Sequence, residues 1–182
     1  MGAADPDAQR FEALYRAHYG AIVRFAHRRI DRDSVEEVVA ETFATAWRRL
    51  DAVPRDALPW LYVVARNVIA AKRRSVGSGV DKQANIAAVG WLSARDPADA
   101  LGERDLIRRA FNSLSEHDRE ALRLVGWEGL DQRQAARVCG TSRVAFAMRL
   151  SRARRRLAAA LSADQPSRVA HPIPTPTEES NL

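Results

Sequence analysis

Residues 130–157 read LDQRQAARVCGTSRVAFAMRLSRARRRL, and few folds accept that run. Asp131 followed three residues later by Gln134 is the pattern of a capping box, which starts a helix by satisfying its orphan N–H groups. Gly140 stands where a left-handed residue ends that helix, and Thr141 or Ser142 then caps a second one. In the second helix Phe146, Leu150, Ala153, Leu157 and Leu161 share one face at helical spacing. At about 100° per residue, the opposite face carries Val144, Met148, Ser151, Arg152 and Arg155, with Arg149 and Arg156 on a flank. Two short helices, a glycine turn and a terminal arginine cluster make a helix-turn-helix pattern, whose second helix enters the DNA major groove. Its first turns would meet base edges and its later arginines the phosphate backbone. A solvated basic helix on an ordinary bundle is the competing reading. The caps, the turn glycine and the one-sided apolar face favour DNA.

The rest of the chain is also helical by period. No alternating strand pattern of useful length occurs, so the fold class expected is all-α. Phe11, Leu14, Tyr15, His18, Ile22, Phe25, Ala26 and Ile30 form one stripe, with His18 a packed or rim histidine. Ser34 and Glu37 read as a capping box for a helix with Val35, Val38, Val39, Thr42, Phe43, Ala46, Trp47 and Leu50 inside. Residues 51–59 carry two prolines and break it. A third helix is expected from near Trp60, with Leu61, Val64, Ala65, Val68 and Ile69 inward and Arg66, Asn67, Arg73 and Arg74 on or near its outer face. Phe43, Trp47 and Trp60 are expected to pack in the core. These elements predict a flexible N-terminus at residues 1–10 and a helical domain at 11–74. A linker rich in Gly and Ser at 75–97, a second helical domain at 98–161 and a disordered proline-rich tail at 162–182 follow. In the second domain Leu106, Ile107, Ala110, Phe111 and Leu114 mark one helix, and Ser115 caps the next with Asp118 as acidic partner. Trp91 and Leu92 are unusual for a spacer and would dock on the chain's own domains or on a partner groove.

Composition narrows the chemistry. The chain of 182 residues has a formal net charge of +6, which favours a polyanionic partner. Cys139 is the only cysteine, so no intrachain disulfide forms. Beside Val138 it reads as a small core residue, with a redox sensor as the alternative. His18, His27, His117 and His171 have no partner at ligand spacing, so no metal is expected. There is no phosphate loop and no nucleophile–base set, which argues against an enzyme or a cofactor. Without an apolar span or a signal-peptide pattern, no membrane insertion is expected and the cytoplasm is the expected location.

Taken together, the segments EEVVAETFATAW (36–47), WLYVVARNVIAAKRR (60–74), and LSEHDREALRLVGWEGLDQRQAARVCGTS followed by RLSRARRRL resemble the extracytoplasmic-function (ECF) group of bacterial RNA polymerase sigma factors. The resemblance covers about residues 11–161. It implies two small helical domains joined by a flexible linker: a region 2-like bundle and a region 4-like helix-turn-helix. It also implies a clamp-binding helix using Glu36, Glu37, Glu41 and Arg48 against core RNA polymerase. The third helix would read the promoter −10 element with Arg66, Asn67, Arg73 and Arg74, and residues 51–59 would pocket a flipped base. Such a strand reader needs polar edges beside a basic track. The last helix would read the −35 element with Arg143, Val144, Met148, Arg149, Arg152 and Arg155. Anti-sigma factors are the regulators the resemblance implies.

Three departures from the family pattern stand out. Glu37 and Ala40 occupy positions where the family usually has Asp and Gln, and Ala71 stands where an acidic residue is common. The recognition-helix run Val144, Ala145, Phe146, Ala147, Met148 offers few hydrogen bonds to bases. Readout would then rest on Arg143, Arg149 and Arg152, on thymine methyls against Val144 or Met148, and on groove shape, giving an unusual or weak −35 preference. The other readings are a stand-alone helix-turn-helix regulator and a sigma-like interaction module that reads no DNA. The first needs a dimer helix that the sequence lacks, so the free chain is expected to be a monomer.

Overall fold

The computed structural model describes residues 5–76 and 97–163, and among these the only regular elements are helices. The 77–96 segment, with Trp91 and Leu92, and residues 164–182 lie outside the described residues.

Three helices build the first domain. α1 (Pro6–His27) begins inside the stretch expected to be flexible. Residues 6–10 are helical because the Asp5 carboxylate accepts from the Asp7 N–H at 3.1 Å and Pro6 sits in the first turn, where its missing N–H costs nothing. α2 (Val35–Arg48) does not start on the expected Ser34–Glu37 box. Ser34 already has helical backbone angles (φ −91°, ψ −8°) and its side chain caps nothing. The cap lies three residues earlier: Asp31 Oδ1 accepts from the Ser34 N–H at 3.0 Å and closes a 3₁₀ turn, Arg32–Ser34, that feeds α2. A second 3₁₀ turn, Leu50–Ala52, follows. α3 (Ala57–Val76) begins ahead of Trp60 and includes Pro59. A proline in the first turn displaces no intrahelical bond, so only Pro54 breaks the chain.

The second domain holds α4 (Pro97–Asn112), α5 (Glu116–Gly126), α6 (Gln132–Val138) and α7 (Arg143–Ala163). Its punctuation follows the sequence reading. Ser115 accepts from the Asp118 N–H at 3.2 Å. The Asp131–Gln134 capping box forms in both directions, at 2.8 and 3.1 Å. Gly140 takes φ 63°, in the left-handed region that favours glycine. Ser142 Oγ accepts from the Ala145 N–H at 3.1 Å. Ser162 and Ala163, placed in the tail by the sequence reading, continue α7, with Ser162 Oγ donating to the Ala158 carbonyl at 3.0 Å.

Ile22, Phe25, Val38, Phe43, Leu61 and Ala65 fill the first core, and α5, α6 and α7 supply Leu124, Val138, Phe146 and Leu150 to the second. The two are continuous, because α6 packs against α3. Polar groups also close this seam. Arg28 Nε donates to Glu128 at 3.2 Å, Arg29 Nη1 donates to Glu128 at 2.8 Å, and Arg29 Nε donates to Glu120 at 3.0 Å. These partners are about a hundred residues apart in the chain, so no local pattern announces them.

Candidate nucleic-acid interface

α7 separates its two faces cleanly. Phe146, Leu150 and Ala153 are buried against the domain. On the other side Val144 is 70% exposed and Met148 63% exposed, and their four-residue spacing sets them side by side on the outward face. Arg143, Arg152 and Arg155 are exposed beside them and Arg149 is half-buried. The helix carries six arginines and no acidic residue, so its outward field is uniformly positive. Arg156 is the exception in use: it pairs with the buried Asp118 carboxylate of α5 and ties the last turns of α7 to its own domain. All six side chains expected to touch the −35 duplex therefore lie on one helix, five of them exposed.

The four side chains expected on the −10 strand do not form one track. Arg66 and Arg73 turn toward the second domain and line a cleft of about 310 Å³ with Arg29, Glu116, His117 and Glu120. Arg73 Nη2 donates to the Arg29 carbonyl, and its Nη1 is 4.0 Å from Glu116. Burial works most strongly against the Glu116 charge, yet Arg123, Arg119 and Arg73 outweigh it and hold its carboxyl below the usual range. Asn67 instead opens onto a groove between α2 and α3, with Glu37, Glu41, Arg49 and Lys72 along its edges. Arg74 is exposed near the end of α3.

The residues expected to meet polymerase, Glu36, Glu37, Glu41 and Arg48, are all exposed on α2. Glu41 accepts from Arg48 at 2.7 Å, and that hydrogen bond holds its carboxyl below the usual range. Glu37 pairs with Lys72 of α3. Asn67 therefore shares a groove with two of the candidate polymerase contacts.

Phe43 is buried and Trp60 packs against the core, but Trp47 departs from the expectation and is 46% exposed. It covers the end of an aromatic cluster, 5.1 Å edge-on from Phe11, which leads through Tyr15 to Phe43 and Tyr19. Position on the helix explains this: Trp47 lies one residue from the end of α2, where the apolar stripe runs out past the bundle. Cys139 is half-buried and burial pushes its thiol up, so it is poorly ionised and fits a packing role. His18 is lowered by burial, with Asp56 opposing. Among the described residues no metal-ligand cluster occurs, and no helix is long and apolar enough to cross a membrane.

The family profile of sigma-70 region 2 matches residues 14–78, and that of sigma-70 region 4 matches residues 104–157. The ECF RNA polymerase sigma factor SigL of Mycobacterium tuberculosis is 32% identical over 161 residues, covering 86% of this chain and 91% of SigL. The chain belongs to the ECF group of sigma-70 factors. Solved structures agree with this. RpoE of Bartonella quintana, in complex with the anti-sigma factor NepR, superposes with a TM-score of 0.65 at 25% identity, over 85% of this chain and 98% of RpoE. CnrH, in complex with the cytosolic domain of CnrY, gives 0.61 at 27%, over 87% and 96%. As a sigma factor, this protein directs transcription from promoters, and its family does no catalysis of its own.

Proposed function

We propose that this sigma factor divides its work among three surfaces: α2 for core polymerase, α3 for the −10 strand and α7 for the −35 duplex. The observation that carries the proposal is the outward face of α7. Val144 and Met148 stand exposed at its start and Arg152 and Arg155 further along, which is the order of base contacts before phosphate contacts. Its lack of amide and hydroxyl groups at positions 144–148 favours thymine methyls and groove shape over hydrogen-bonded readout. For the −10 strand, Asn67 offers an amide beside an open groove, and Arg74 supplies charge for the backbone. Glu36, Glu37, Glu41 and Arg48 form the polymerase-facing set on α2. The two domains act at residues 11–74 and 98–161, with the segment between them as the connection. The cytoplasm is the working compartment. An anti-sigma factor is the regulator by analogy with the RpoE–NepR complex.

The test is in vitro transcription with core polymerase, read at two stages. Arg152→Ala with Arg155→Ala weakens formation of the initial promoter complex. Asn67→Ala leaves that step near the wild-type level and lowers permanganate reactivity of the opened strand. Equal loss at both stages for Asn67→Ala contradicts its role in strand capture.

A further inference from the structure

Five large apolar side chains are exposed among the described residues. Val144 and Met148 belong to the outward face of α7. The other three, Tyr15, Tyr19 and Trp47, form one patch on α1 and the end of α2. Phe11, Tyr15 and Tyr19 follow one another at four-residue steps, which sets their rings in a row along α1. Ring centroids step 5.0 Å from Tyr19 to Tyr15, 6.2 Å from Tyr15 to Phe11 and 5.1 Å from Phe11 to Trp47. The buried Phe43 ring touches Phe11, Tyr15 and Tyr19 from beneath. The row is therefore held from the core side and open to its outside.

An open row of tyrosine and tryptophan rings is a surface that polyproline II segments recognise. Proline rings pack on the aromatic faces, and Tyr O–H and Trp N–H groups donate to carbonyls that this conformation leaves unpaired. The chain carries such a segment itself: residues 171–177 read HPIPTPT, followed by Glu178 and Glu179. Polyproline II has three residues per turn, so Ile173 and Pro176 share one edge and Pro174 lies on the next. Two apolar edges are thus available to one surface. Pro174 and Pro176 stand about 6 Å apart along the axis, close to the spacing of the rings. Charge selects a direction. Arg48 and Arg49 are exposed beside Trp47 at one end of the row, where Glu178 and Glu179 fall if Ile173 sits near Tyr19. Length allows it as well. From Ala163, the last residue of α7, to Pro172 the chain reaches up to about 30 Å, against a radius of gyration of about 14 Å for a compact body of this size.

We propose that the proline-rich tail docks on this aromatic row of its own chain, with residues 173–176 over the rings and Glu178 and Glu179 beside Arg49. Docked there, the tail covers the end of α2 next to Arg48, and core polymerase has to displace it. That consequence rests on the polymerase reading of α2; the contact itself does not.

The chain has three tyrosines, which makes the test direct. Tyr15 and Tyr19 lie in the patch, while Tyr62 is 2% exposed in the core and serves as the reference. The full chain is labelled with fluorotyrosine and carries Ser180→Cys for a nitroxide, with Cys139→Ser to remove the native thiol. In its fluorine NMR spectrum Tyr15 and Tyr19 lose most of their intensity relative to the same sample with the nitroxide reduced, and Tyr62 loses less. Adding Ile173→Ser/Pro174→Ala/Pro176→Ala restores the two patch signals. These substitutions touch no residue of the described helices, so the fold is common to both proteins. The same variant binds core polymerase several-fold more tightly, because no docked fraction has to open first. Absence of the loss, or equal loss in both proteins, overturns the docking. A loss that grows with protein concentration also overturns it and assigns the patch to a second copy of the chain. Docking with unchanged polymerase affinity rejects this end of α2 as a polymerase contact, while the fluorine signals still establish the tail contact.

Discussion

Arg152 and Arg155 are exposed on the outward face of α7, whereas Arg156, one residue on, is held by Asp118. That difference gives a quantitative prediction. Each phosphate neutralised by a protein cation contributes about −0.9 to the slope of log K against log salt. Arg152→Ala/Arg155→Ala removes two such contacts and flattens the slope by about 1.8. A fourfold rise from about 50 to about 200 mM salt spans about 0.6 decades, so wild type loses about tenfold more affinity over that range than the variant. Fluorescence anisotropy with a labelled random-sequence duplex measures this directly, because the electrostatic part of binding does not depend on sequence. Arg156→Ala serves as the contrast. It leaves the slope within a few tenths of wild type and instead lowers the melting temperature, because Asp118 loses its partner in a buried site. An unchanged slope for the double variant refutes the phosphate role of these arginines. Equal flattening by Arg156→Ala refutes the division between the arginine that binds the protein and those that bind DNA.

Two further predictions concern stability. Phe146 is fully buried at the root of α7, so Phe146→Ala costs about 3–5 kcal/mol in urea unfolding; a loss under about 1 kcal/mol is incompatible with a packed recognition helix. Against the effect of burial, Arg123, Arg119 and Arg73 hold the folded pKa of Glu116 below the usual carboxylate range. Glu116 therefore contributes stability that is present above the unfolded value and lost as pH falls through the folded one. Glu116→Gln should lower stability at neutral pH and make the melting temperature fall less steeply below pH 4.5; an identical acid profile for variant and wild type contradicts this.

What could be read from the sequence was what is local. Asp131, Gln134, Gly140 and Ser142 act within three residues of their partners, so spacing alone was informative. The inward and outward faces of α7 followed from helical period. Ser34 misled because two cap candidates lie three residues apart, and Asp31 takes the role once a 3₁₀ turn intervenes. Pro59 read as a breaker because its effect depends on its place in the turn, which the sequence does not mark. The Arg28, Arg29, Glu120 and Glu128 cluster was invisible for a different reason. Each residue taken alone is an ordinary surface charge, and only the packing of two domains buries it. Helical period alone sets Asn67 about 100° round α3 from Arg66 and Arg73; what the sequence does not mark is that the arginine side faces the second domain.

The most direct test of the central claim is size-exclusion chromatography of the full chain with bacterial core RNA polymerase at moderate salt. The account predicts a one-to-one complex that is lost when Glu36, Glu41 and Arg48 are reversed in charge, with the variant's helical content unchanged. A chain that elutes apart from polymerase, or a complex that survives those reversals, contradicts it.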